Sequence, residues 1–150
     1  MDNIGSYEVV VVTLVIFGIL LIPAIFYLIT LQKALTVVSP QNRKMPPGQV
    51  WLMFIPLFNI VWYFIIVDAV AVSFEREYAA RGVGSEPKPT YSIGLATAIL
   101  NVCGIIPIIG VLAGLATLVC WIMHWVKVNE HKNNLERMNY DDPRPTIFDQ

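Results

Sequence analysis

VVVVTLVIFGILLIPAIFYLITL, residues 9–31, is a run of 23 residues without one charge. A hydrocarbon core about 30 Å thick takes about 20 apolar helical residues to cross. At a rise of about 1.5 Å per residue this run reaches across with some tilt to spare. Working outward, Val50–Val67 gives 18 more uncharged residues and Thr90–Val126 another 37. Runs of this length read as membrane spans rather than as strands or core helices. The sequence therefore predicts an all-α, polytopic transmembrane protein.

Composition agrees. Hydrophobic residues make up 56% of the 150 and charged residues 14%, against about 25% charged in an ordinary soluble domain. With 10 Lys+Arg against 11 Asp+Glu and no basic patch, nucleic-acid binding has no electrostatic footing. Asp2 and Glu8 precede the first run without a Lys or Arg. A cleavable signal peptide opens with a basic segment, so the first run is expected to be retained. The two cysteines, Cys103 and Cys120, fall in apolar runs. They are expected to sit several turns apart across a hairpin, too far for a disulfide. With two histidines at no metal-site spacing, neither a metal nor another cofactor is expected.

Four spans are predicted within a single integral-membrane domain. The first covers about 8–31, with a kink expected at Pro23 and an amphipathic extension to Val38. The segment 39–48, with three prolines and a glycine, reads as a loop. A second span follows over about 49–72, anchored by Trp51 at headgroup level. Residues 73–89 are polar and form a linker, in which Glu77 and Arg81 make a helical i,i+4 pair. The 37-residue run is too long for one span. It divides into a short third span, 91–105, and a fourth, 107–128, with Pro107 suited to a helix's first turn. A re-entrant half-helix or one long kinked helix, giving three spans, is the alternative. A charged helical tail occupies 129–150. Counting Lys and Arg by side in the four-span layout gives seven in the linker and tail against three in the first loop. That places both termini in the cytoplasm of a bacterial inner membrane, whereas three spans would put the amino terminus outside and the carboxyl terminus inside.

A few polar or small groups inside the apolar runs are the candidate packing or polar-site residues. Pro56 cannot donate to the carbonyl of Leu52, which predicts an orphan acceptor. Asn59 follows on the same span, and Asn101 lies mid-span in the third run as its natural hydrogen-bonding partner. Such bonds are worth about 0.6–2 kcal/mol in membranes. Asp68 reads as a hydrated interfacial carboxylate, with an inter-subunit contact or a proton- or cation-binding role as alternatives. Gly110 and Gly114, four residues apart, let helix backbones approach closely, as do Gly94 and Ala98. His124, between Trp121 and Trp125, reads as an interfacial histidine.

The stretch from Met45 to Phe64 contains Pro47-Gly48, Trp51 and the step Ile55-Pro56-x-x-Asn59. It resembles the core of a small inner-membrane family of unknown function from Bacteroidetes-type bacteria. The resemblance is dense over this stretch and loose over the multi-span layout, and it implies a multi-span fold and an inner-membrane location, with no activity attached. No Ser/His/Asp, His-cluster or paired-carboxylate arrangement supports an enzyme. The expected function is that of a non-enzymatic subunit or scaffold of a larger membrane assembly, partnered by the bilayer and by another membrane protein or a second copy. The alternative is an oligomeric transporter or channel component with a polar site around Asn59, Asn101 and Asp68.

Overall fold

The computed structural model describes residues 3–104 and 107–141. Four helices account for most of them: α1 (Asn3–Val37), α2 (Phe58–Ala80), α3 (Tyr91–Cys103) and α4 (Pro107–Asp141). Two 3-10 segments, Pro40–Asn42 and Pro47–Phe54, lie between α1 and α2. No strand occurs among the described residues. By length and composition α1, α2 and α4 can each cross a membrane, and α3 is shorter. The expected α3–α4 hairpin is present and α4 opens on Pro107. Ile105 and Ile106, at its turn, lie outside the described residues, as does the tail beyond Asp141. Helix α1 passes Pro23 without a break in its helical assignment.

The direction of the helices departs from an up-and-down bundle. On α1 and α4, Tyr27 meets Trp121 and His124, while the carbonyl of Val37 accepts from Asn139. Numbers rise together, so these helices run parallel. On α1 and α2, Tyr27 meets Tyr63, and Ser39, just past α1, meets Glu77. They too are parallel. Only α3 runs the other way, with Gly94 against His124 and Gly104 against Gly110. The start of α1 and the end of α4 therefore lie at opposite ends of the molecule. This differs from the shared side expected for four spans and has the sense expected for three.

Parallel α1 and α2 require a return stroke, and residues 39–57 provide it. Ser39 and Asn42 bond to Glu77, the Lys44 amide to Ser73, and the Gln49 carbonyl to the Trp62 indole. Last, the Ile55 carbonyl accepts from the Asn59 amide. As the number rises on this limb it falls on α2, which makes the two an antiparallel hairpin. The predicted helical span 49–72 is thus corrected. Residues 47–54 are 3-10, and the helix begins only at Phe58. Pro46, Pro47 and Gly48 start the segment in a non-α geometry, and Pro56 cannot supply the amide that an α-helix needs at its position. The orphan carbonyl expected at Leu52 does not arise, because Ile55 N–H donates to it at 3.1 Å in the tighter i→i−3 pattern. The turn itself is a tight γ-turn at Leu57 (φ 65°, ψ −40°), with Phe58 N–H on the Pro56 carbonyl at 2.7 Å. A leucine rarely adopts such a backbone, and this one is 84% exposed.

Burial divides the molecule lengthwise. Tyr27, Leu31 and Leu35 fall on one face of α1 and Val38 lies just past its end. They pack on Ile66, Val70 and Phe74 of α2 and on Val128 and Leu135 of α4, all buried. Each such side chain contributes about 1.5–3 kcal/mol relative to its exposed state. Below Tyr27 the pattern reverses: Tyr7, Val10, Leu14, Phe17, Ile19 and Ile22 are all exposed, around the whole circumference of α1.

Candidate functional site

The boundary between the two halves is a layer of aromatic rings and a histidine. Tyr27 Oη lies 2.9 Å from His124 Nδ1 and 3.2 Å from Tyr63 Oη. Trp121 and Trp125 stand edge-on to Tyr27, with centroids at 5.3 and 6.1 Å, and the Trp125 indole donates to Thr30 Oγ1 at 2.9 Å. His124, expected at the membrane interface, is fully buried within the bundle. Its Nε2 has no hydrogen-bond partner and faces Gly94, where an added Cβ would come within 2.8 Å. Glycine is required there because two helices and a ring meet at one point. With Nδ1 bonded and Nε2 covered, His124 has no nitrogen free for a metal or haem. Among the described residues no group of His, Cys, Asp and Glu is placed to hold a metal ion. Both cysteines are free.

Just beyond this layer, on the apolar side, lies a cavity of about 600 Å³ between all four helices and the 3-10 limb. Tyr27, Tyr63 and Trp121 form its inner wall, and Asn59 and Asn101 both line it. Those two residues come from different helices and were paired in expectation. The structure brings them to the same cavity, and neither side-chain amide makes a hydrogen bond among the described residues. Phe54, Ile60, Val102 and Leu118 line it as well and are exposed, so the cavity is a cleft open at its side. Helix α2 begins here without a side-chain cap on its first turn. Gly114 lines the cleft, and a Cβ there would meet nothing within 4 Å. At Gly110, by contrast, an added Cβ would come within 3.0 Å of the carbonyl oxygen of Gly104. Of the two small-residue steps, Gly94 and Ala98 also serve packing within the chain, since both are buried.

Asp68 does not reach the cleft. It lies on α2 at the level where charge begins, held by Lys44 and by Lys88 at 2.9 Å, with its side chain 24% exposed. The hydrogen bond and charge of Asp68 hold Lys88 above the ordinary lysine range, and its ammonium sits 4.9 Å above the Tyr91 ring. One carboxylate thus ties the loop after α1 to the linker before α3. Lys33 and Lys127 belong to the same level, being 6 and 3 residues beyond Tyr27 and His124 respectively. Trp51, expected at headgroup level, donates its indole to Gln32 beside Lys33 at 2.7 Å.

The strongest polar constellation escaped the sequence reading. Glu77, expected to add only a weak helical pair with Arg81, is 0% exposed. It accepts from the Ser39 amide at 3.0 Å and hydroxyl at 2.9 Å, Asn42 at 2.7 Å and Arg81 Nη2 at 2.6 Å. Arg81 Nη2 also reaches Asn139 of α4, and Arg43 covers the free carbonyls of Thr36 and Val38 at the end of α1. The i,i+4 spacing of Glu77 and Arg81 was visible. That Ser39 and Asn42 would converge on them depends on the return stroke, for which no local signal exists.

Compared with known protein families, curated proteins and solved structures, the chain matches none.

Proposed function

We propose that the protein is a non-enzymatic integral membrane subunit or scaffold that enters the bilayer from one basic side. The carrying observation is the segregation of charge. Every charged residue of the described chain except Glu8 lies at or beyond the level of Asp68, including nine of the ten Lys and Arg. The three uncharged runs all hang below that level. Setting it at the edge of the hydrocarbon leaves α1 with about 37 Å from Lys33 to Glu8 and α4 with about 30 Å from Lys127 to Pro107, both enough to cross. Helix α2 runs only about 15 Å from Asp68 to Phe58. In this reading the 3-10 limb and α2 form a re-entrant hairpin whose tip, from Phe54 to Ile60, is exposed in the single chain. Non-helical backbone at membrane depth has to be covered by protein, a cover that a partner subunit would supply. The positive-inside rule puts the basic end in the cytoplasm and the start of α1 on the far side.

The subunit role is supported by the α1 stretch from Val9 to Ile22, which stands clear of the chain's own bundle and offers its whole circumference to lipid or to another helix. A transport role has one observation in its favour, the shared cleft of Asn59 and Asn101. Against it, the Tyr27–Tyr63–His124 layer and Trp121 close the cleft toward the charged end, and Asp68 is engaged elsewhere. Purification from native membranes in mild detergent, followed by mass spectrometry, tests the reading. A partner at fixed stoichiometry that is lost when Leu14 and Phe17 are changed to bulkier or polar residues supports it. A monodisperse single copy in every detergent and in nanodiscs contradicts it.

A further inference from the structure

The cleft is not needed by a scaffold, and its chemistry selects a ligand. Asn59 lies nine residues below Asp68 on α2, about 13 Å along the axis, and Asn101 lies ten residues below Tyr91 on α3, about 15 Å. Two unpartnered amides thus sit at one depth, near the midplane of a bilayer whose edge is the Asp68 level; this depth rests on the membrane placement proposed above. An amide left unbonded in hydrocarbon is costly, so a group that bonds to both would be held there. No charged residue lines the cleft, and a charged headgroup would not descend to that depth. The remaining wall is aromatic and aliphatic, the aperture faces sideways between Phe54, Ile60, Val102 and Leu118, and the volume of about 600 Å³ falls in the range of small-molecule sites. Gly114 lines one wall, and an added Cβ there meets nothing within 4 Å.

We infer that this cleft binds a neutral, lipid-soluble molecule whose head carries a carbonyl or hydroxyl, hydrogen-bonded to Asn59 and Asn101, with its apolar tail leaving through the side. The Asn amides donate to a carbonyl, or donate to and accept from a hydroxyl. Tyr27 and Tyr63 are held by His124 and by each other, and close the cleft behind the head.

The test uses the full chain in nanodiscs and a benzoquinone with a ten-carbon tail carrying a diazirine. The control is the same tail and diazirine on a benzene ring without carbonyls. After irradiation, adducts are mapped by peptide mass spectrometry. The expected result is saturable labelling of the Met53–Tyr63 and Gly114–Trp121 stretches, competed by the unlabelled quinone and absent with the control. Asn59→Leu and Asn101→Leu, which make the chain more apolar and should melt as the parent does, each weaken competition about 3- to 15-fold. Gly114→Phe, acting from the opposite wall, abolishes it. Equal labelling by the control, labelling that never saturates, or indifference to all three substitutions overturns the inference. So does a cross-link from Gly114→Cys to a partner's helix in native membranes, which would assign the cleft to protein. Neither of the first two results bears on the subunit reading, which is decided by co-purification.

Discussion

The same helices behave differently above and below Tyr27. Above it, α1 buries Leu31, Ala34 and Leu35, and Glu77 accepts from three other residues in a fully buried position. Below it, α1 exposes Val10, Leu14, Phe17 and Ile22, and two asparagines line an open cleft without partners. The upper half obeys the rules of water, where apolar faces turn inward and buried charge is matched. On the membrane placement proposed above, the lower half follows the rules of hydrocarbon, where apolar surface needs no cover and polar groups are the scarce, directing ones. One chain folded for two solvents explains why α1 is amphipathic at one end and uniformly greasy at the other.

The contrast can be broken most severely at Glu77. Glu77→Ala leaves Arg81 and the Ser39 amide buried without their acceptor and should cost about 3–5 kcal/mol, read by chemical or thermal unfolding in detergent. If the loss is under about 1 kcal/mol, the upper half is not the stable platform described. A glycine pair sharpens the comparison. Gly94→Ala would press a Cβ within 2.6 Å of Val67 Cγ1 and 2.8 Å of His124 Nε2, an overpacking expected to cost about 1–3 kcal/mol. Gly18→Ala, with nothing within 4 Å, should be neutral or stabilising by up to about 1 kcal/mol. Equal effects at the two positions would deny the difference in surroundings. At the boundary itself, Tyr27→Phe removes the hydroxyl shared by Tyr63 and His124 and should cost about 1–2 kcal/mol. Its ring contacts with Trp121 and Trp125 should survive, so near-ultraviolet circular dichroism is expected to change little. Smallest of all, Lys88→Ala leaves Asp68 with Lys44 and should shift stability by less than about 1 kcal/mol, and less at high salt.

Much of this was legible in the residues. The uncharged runs marked which segments sit below the charged level, Pro107 marked the start of α4, and Asn59 and Asn101, read as hydrogen-bonding partners, line one cleft but do not bond to each other. What hydropathy could not report was backbone state. An apolar run measures affinity for oil, and Val50–Phe54 is as apolar in a 3-10 limb as it would be in an α-helix. Pro46-Pro47-Gly48 and Pro56 bracketed the limb, yet each alone is also compatible with a kinked span. The burial of His124 and Glu77 was hidden for a related reason. Both depend on α1, α2 and α4 running parallel, which brings Tyr27 to His124 and Ser39 to Glu77 across 97 and 38 residues of sequence.

The account turns on the return stroke, and sidedness reads it directly. In a background with Cys103 and Cys120 replaced by alanine, single cysteines at Gly5, Gln41 and Gly84 are exposed to a membrane-impermeant maleimide on intact and on inverted vesicles. The fold described here predicts that Gln41 and Gly84 react on the same side and Gly5 on the other. Gln41 and Gly84 reacting on opposite sides would contradict it, and would restore a continuous helical span between them.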